Sequence, residues 1–263
     1  MPNAPRTVVL IHGYLALNLL DKLAHSEQRP ADYFKGVAAV LAPLGVAVVA
    51  PKLPGNSRVM QRAAVLAEAL RAIAPPPEGG RDVILIAHSM GGLDARWVLH
   101  QHPDIAARVH SLVTLGTPFG GSPVADALNQ PHSLLPPTWV EALRDTLGEG
   151  LLDLTTAQAV ALTQSCSDPA GIHRFGVVGT PVPSVWPNSL FWALRVSPWL
   201  SKSPNDGQVP SACATHPAFA RLPDWPVDHA GLIGWGLPGF DEAAHLKRYT
   251  DLVRQLLALP AAA

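Results

Sequence analysis

Ser89 lies in the stretch Ala87-His88-Ser89-Met90-Gly91-Gly92, with small residues two positions to either side. A serine hydroxyl is a weak nucleophile at neutral pH. It attacks a carbonyl only when a general base removes its proton and a carboxylate orients that base. The Ala-x-Ser-x-Gly spacing suits a tight strand-to-helix turn that lifts the hydroxyl clear of its surroundings, because bulk at 87 or 91 would collide with the neighbouring strand or helix. The plainer alternative is a serine N-cap opening an ordinary helix. A second segment, His12-Gly13-Tyr14, carries a turn glycine after an early apolar run. A loop of that kind can aim backbone N–H groups at a developing oxyanion. With eleven histidines in the chain, residue type alone does not name the base, and position has to.

Those groups need elements to hold them. Val83 to Ala87 is a continuous apolar run after Arg81-Asp82, the composition of a strand buried on both faces of a parallel sheet. Thr7 to Ile11 and Val46 to Ala50 read as buried strands too, and Val109 to Leu115 and His173 to Val178 as further strands. Between them, helical spacing predicts a helix over Asp32 to Leu41. A second runs from a Ser57 cap to Ile73, with Val59, Ala63, Leu66 and Leu70 on one face, and a third follows Ser89 until Pro103. Asp241 to Ala258 closes the chain as a helix. Strand and helix alternate, which argues a mostly parallel, doubly wound α/β sheet. Residues 122–164 break the rhythm: they are helical with no strand between. They are expected to form a cap or lid on a single domain spanning 1–263, the alternative being two extra helices packed on the sheet, with Thr138/Glu141 and Thr155/Gln158 as capping boxes. Segment 181–204 could join the cap; its Trp186, Phe191, Trp192 and Trp199 could line an acyl pocket or simply pack the core.

A strand, a sharp serine turn and a helix within such a sheet are the nucleophile elbow of an α/β-hydrolase, the fold class expected here. In that fold the triad follows the chain order serine, acid, histidine, on loops at the carboxyl edge of the sheet. His216 and His229 are late enough, and His229 stands in a loop before the apolar run Leu232-Ile233. His12 and His88 are read as loop residues whose backbone matters more than their rings; His100, His102 and His110 are read as a solvated helix end. Asp224 and Asp228 are too close to His229 to come from a separate strand end, and Asp153 and Asp168 fall in or beside the presumed cap. Asp206, in an Asn-Asp-Gly turn, is the expected acid. Ser89, Asp206 and His229 would then be catalytic, with the backbone N–H groups of Tyr14 and Met90 receiving the oxyanion.

Composition bounds the rest. The chain has 263 residues, 48% hydrophobic and 15% charged, with a net charge of −1. Nothing in that balance points to nucleic acid or an anionic membrane. The longest uncharged stretch, Phe175 to Leu194, holds Gly176, Gly179, Pro181, Pro183 and Pro187 and does not read as a membrane span. No secretory leader is visible at Met1, so the compartment reads as intracellular if Met1 is native and secreted if the sequence is a mature form.

Together these segments resemble the bacterial true lipases of the Pseudomonas, Burkholderia and Proteus type. The resemblance rests on Val8 to Tyr14, Ala87 to Arg96, Gly116-Thr117-Pro118-Phe119-Gly120-Gly121-Ser122, Asn205-Asp206-Gly207 and Asp228-His229. It implies carboxylic-ester hydrolysis, of lipid esters, under a mobile helical lid that meets a lipid–water interface. It supports the same triad and oxyanion residues. Many relatives bind a structural calcium, one ligand lying two residues after the catalytic histidine. Gly231 stands there and Trp186 stands near the other, so no metal and no cofactor is expected. Relatives often carry one disulfide near the acid, and by that likeness Cys166 and Cys213 would pair; two reduced, buried cysteines are the alternative. A thioesterase, acyltransferase or polyester depolymerase would use the same acyl-enzyme step. A binding module that has lost its chemistry would lack a triad member.

Overall fold

The computed structural model describes residues 7–14, 33–75, 80–129, 148–181, 200, 202–236, 240–260 and 262. Six strands, β1 (Thr7–Ile11), β2 (Ala47–Val49), β3 (Val83–His88), β4 (Val109–Leu115), β5 (His173–Val177) and β6 (Ala220–Arg221), form one sheet in the order β2-β1-β3-β4-β5-β6. All neighbours are parallel. β1, β3 and β4 are buried along their whole length, as strands covered on both faces must be, and β4 buries His110, Ser111 and Thr114 along with its apolar residues. β6 is two exposed residues, too short and too polar to leave a signal in the sequence.

Side chains alternate along each strand, so the sheet divides its apolar residues between two cores. Val9, Ile11, Leu85, Ala87 and Leu112 pack with α2 (Val59–Ala72), α3 (Met90–Gln101) and the short α4 (Pro103–Ala106) on one face. Val8, Leu10, Ile84, Ile86, Val113 and Leu115 pack on the other face with α1 (Val37–Leu41) and the last helix, α8 (Glu242–Leu257). Each fully buried aliphatic side chain is worth about 1.5–3 kcal/mol, so the two cores hold the carboxyl ends of the strands in place. After β1 the chain moves outward to β2, then returns across the sheet to β3. The reversal leaves a crevice at the carboxyl ends of β1 and β3, where a parallel sheet places its ligand.

Local chemistry moves several element ends from where periodicity puts them. The helix expected over 32–41 begins at Val37, because Gly36 at its N-cap adopts φ 70°; Asp32 lies outside the described residues. α2 is capped by Arg58 and the Gln61 side chain rather than by Ser57. The Thr155/Gln158 box does not form: Thr155 Oγ donates to Leu152 O, and the next residue, Thr156, bonds to Asp126 instead. Thr138/Glu141 lies outside the described residues, as does all of 130–147. The rest of 122–164 contains α5 (Pro123–Asn129), α6 (Gly150–Asp153) and α7 (Thr156–Ser165). These pieces dock on the first core through Ala125, Leu151 and Leu154, and Asp153 takes hydrogen bonds from Arg58 and the Val59 N–H. No described helix is long and apolar enough to cross a membrane.

Candidate active site

Ser89 follows β3 directly and sits at φ 53°, ψ −130°, the only non-glycine residue with positive φ among the described residues. A side chain held in that region stores about 1–3 kcal/mol of strain and persists only where its surroundings impose it. Here they do. The Ser89 N–H is tied to Leu115 O at 2.9 Å, and its carbonyl accepts Thr117 Oγ at 2.9 Å. A Cβ on Gly91 would lie 2.8 Å from the backbone oxygens of Ile11 and His12, and one on Gly13 would lie 2.7 Å from Ser89 Cβ. Small residues at 13 and 91 therefore allow the loop after β1 and the elbow to touch. Met90 opens α3, where first-turn N–H groups have no intrahelical acceptor.

Asp206 and His229 meet at one point. Asp206, 1% exposed, stands in a turn against Gly179, just beyond β5. Its Oδ1 accepts the N–H groups of Gln208 and Val209 at 3.0 and 2.8 Å. Its Oδ2 lies 2.7 Å from His229 Nδ1. The carboxylate can only accept, so the proton sits on Nδ1 and Nε2 is left with its lone pair. The His229 N–H also bonds Asp206 O at 2.9 Å, so the carboxylate and the imidazole are joined through ring and backbone. Gly116, at φ 59°, makes room for them: a Cβ there would lie 3.1 Å from Asp206 Oδ2 and 3.2 Å from His229 Nδ1. His229 reaches the elbow through the residue before Ser89, with its carbonyl 3.0 Å from His88 Nε2 and the two rings 4.6 Å apart. The adjacent Asp228 is turned away, accepting the Gly231 N–H at 2.7 Å, and burial raises its carboxyl above the usual range.

The other sequence candidates lie elsewhere. His216 packs between Phe119 and Phe219, and His245 is buried on α8. His110, expected at a solvated helix end, is inside β4 and 1% exposed. Cys166 and Cys213 are both free thiols, so the bridge implied by resemblance is not made. Cys166 caps the end of α7 with its carbonyl on Arg96, whereas Cys213 is packed against Gly120. Trp186, Phe191, Trp192 and Trp199 lie outside the described residues. Among the described residues, no group of three His, Cys, Asp or Glu side chains could hold a metal ion.

Further groups, with no motif of their own, hold the loop after β1. His12 Nε2 accepts the Leu53 N–H at 3.0 Å, so its proton is on Nδ1, 2.8 Å from Gly13 O. Burial, with Arg62 nearby, lowers His12 to a pKa of about 4 and keeps it neutral. The wholly buried Arg62 donates to His12 O at 2.7 Å, to Pro54 O at 3.0 Å and to Asp94 on α3 at 2.8 Å. Burial outweighs that pairing and lifts the Asp94 carboxyl to about 6. The available signal was a charged residue, Arg62, at an inward position among Val59, Ala63 and Leu66.

A parallel sheet with a strained serine turn at its switch point and an Asp–His pair beside it is matched closely in overall shape by solved structures. Bacillus licheniformis lipase BlEst2 in mature form aligns with a TM-score of 0.70 at 23% identity, over 96% of this chain and 93% of that one. The chain has the α/β-hydrolase fold. Staphylococcus hyicus lipase shares the fold at a TM-score of 0.67 and 16% identity, over 97% of both chains. A PGAP1-like alpha/beta domain model matches residues 56–186 of the chain. A triacylglycerol lipase of Burkholderia plantarii is 34% identical over 126 residues, 45% of this chain and 31% of the relative. Triacylglycerol lipase 2 of Saccharomyces cerevisiae is 35% identical over 98 residues, 36% of this chain and 30% of the relative. The matched part thus spans about a third of the length of these curated relatives.

Proposed function

We propose that this α/β-hydrolase is a serine carboxylic-ester hydrolase, a lipase or esterase acting on acyl esters of lipid type. The observation that carries the reading is the 2.7 Å bond from His229 to a buried Asp206 beside a serine in strained backbone. The tautomer set by Asp206 makes Nε2 the base. Ser89 Oγ attacks the ester carbonyl while Nε2 takes its proton. The oxyanion is received by the backbone N–H groups of Tyr14 and Met90, each such donor being worth roughly 3 kcal/mol. The protonated His229 then gives its proton to the leaving alcohol, and water releases the acyl group by the same route in reverse. Lipase-named relatives and neighbours support an ester substrate. Residues 122–164 and 181–204 are the segments proposed to govern which esters reach Ser89 and whether a lipid surface does.

The test is fluorophosphonate labelling of the folded protein, followed by hydrolysis rates across p-nitrophenyl esters from acetyl to palmitoyl. One adduct, on Ser89, and a rate that peaks at medium or long chains are expected. Absence of an adduct from a folded, monodisperse sample would sink the enzymatic reading. A sharp optimum at acetyl would remove the lipid substrate and leave the mechanism.

A further inference from the structure

The ester chemistry leaves one buried side chain of the elbow unused. His88 is 2% exposed. Its Nε2 faces the His229 carbonyl at 3.0 Å, and its Nδ1 lies 2.8 Å from the Tyr33 phenol oxygen. That oxygen is 3.1 Å from the Gly13 nitrogen. A carbonyl oxygen only accepts, so the His88 proton is on Nε2. Nδ1 is then an acceptor, which makes Tyr33 the donor to it, and the Tyr33 oxygen accepts from the Gly13 N–H. One polarity runs through the whole chain of bonds: Gly13 N–H to Tyr33, Tyr33 O–H to His88, His88 N–H to the His229 carbonyl. Reversal at any link would set two donors or two acceptors face to face. Burial, and then the neighbouring His229, hold His88 well below the ordinary histidine range, so the neutral ring this chain needs is the one present.

The three segments joined in this way have no covalent reason to stay in register. Gly13 belongs to the loop after β1, His88 to β3, and His229 to a loop near the end of the chain. The His229 backbone is held on its N–H side by Asp206 O and on its carbonyl side by His88. Gly13 is held on its N–H side by Tyr33 and on its carbonyl side by His12 Nδ1. In a trans peptide the N–H points opposite to the C=O, so fixing Gly13 O sets the direction of the Tyr14 N–H.

We propose that His88 and Tyr33 are positioning residues that lock the base and the oxyanion loop onto the serine elbow. This rests on the reading of Ser89 and His229 as nucleophile and base. A displacement of about 1 Å between reacting groups costs on the order of 100-fold in rate, and the effect falls on kcat because neither residue is assigned a contact with substrate.

The experiment compares His88→Leu, His88→Gln and Tyr33→Phe with the wild type on p-nitrophenyl butyrate, with thermal unfolding measured on each. Glutamine places an amide N–H where His88 Nε2 stands. His88→Leu is expected to lose about 30- to 100-fold in kcat with KM within about threefold. His88→Gln is expected to recover to within about fivefold of wild type, and Tyr33→Phe, which removes the phenol's bonds to both Gly13 and His88, to lose about tenfold in kcat, about 1.4 kcal/mol of barrier. If leucine does not fold at 88, Tyr33→Phe decides, since it keeps the ring. A folded Tyr33→Phe or His88→Leu with kcat within twofold of wild type overturns the proposal. So does a His88→Gln as impaired as His88→Leu, because packing alone would then account for the loss. A wild type that neither labels nor hydrolyses would instead refute the ester-hydrolase reading and is detected before any variant is made.

Discussion

Replacing Asp206 by Asn keeps the shape of the side chain and exchanges one acceptor for a donor. The surrounding bonds decide which way the amide faces. Oδ1 receives two backbone N–H groups, from Gln208 at 3.0 Å and Val209 at 2.8 Å. Turning the –NH2 toward them would forfeit both bonds, at about 1 kcal/mol each, and set donors against donors. The Asn oxygen therefore stays at that site, and the nitrogen faces His229 Nδ1 across the 2.7 Å now spanned by Oδ2. The ring answers by moving its proton to Nε2, the tautomer that cannot accept from Ser89. Loss of the productive tautomer in a serine triad costs about 10⁴ in kcat, or about 5.5 kcal/mol of barrier. Stability should change by less than about 1 kcal/mol, because both backbone N–H bonds survive. The assay is kcat and KM on p-nitrophenyl butyrate at pH 7.5, beside a urea titration. Asp228→Asn serves as a control and should keep activity within about threefold, since Asp228 faces Gly231 rather than the ring. An Asp206→Asn enzyme with unchanged stability and more than a tenth of wild-type kcat would refute the tautomer argument.

Three further outcomes follow from the packing and the buried charges. Gly116→Ala puts a methyl against the Asp206–His229 bond and Leu232 at a residue with φ 59°. It should lower kcat by at least about tenfold and stability by about 1–3 kcal/mol, read by the same kinetics and titration. Gly92→Ala, which would stabilise an exposed helix by about 1 kcal/mol, should here destabilise, because the new Cβ overlaps Thr117; a raised unfolding temperature would contradict this. Asp94 has a folded pKa of about 6 against an ordinary 3.8. Folding therefore holds its proton, and the stability it confers is full below pH 3.8 and lost as pH rises through 6. Relative to Asp94→Asn, which does not titrate, the wild type should lose about 3 kcal/mol between pH 3.5 and 7.5, and equal slopes of stability against pH in the two proteins would count against the raised pKa.

The strands and the elbow were legible because their signals are local. The strands read at Thr7–Ile11 and Val109–Leu115 match the observed ones end to end, and Ala87 and Gly91 bracket Ser89 at a spacing only a tight turn demands. Boundaries shifted where a single backbone choice won over periodicity, as at Gly36 before α1 and at Arg58 before α2. His12 and His88 were misjudged because a ring's role depends on what lies across from it. For His88 that is Tyr33, 55 positions earlier, and His229, 141 positions later. The cysteine pairing failed for the same reason: nearness to Asp206 in sequence says nothing of where the two thiols stand in space.

Five of the six strands, the longer helices and the serine turn were readable from the chain alone, since each is written in neighbouring residues and short periods. The protonation and direction of the groups around Ser89 emerge only in the packed fold. Asp206 selects the His229 tautomer, a neutral His88 spans two distant loops, and a buried Arg62 ties His12 to Asp94. Each of these depends on desolvation and on which lone pair meets which proton, and those are properties of the packed interior rather than of any stretch of chain.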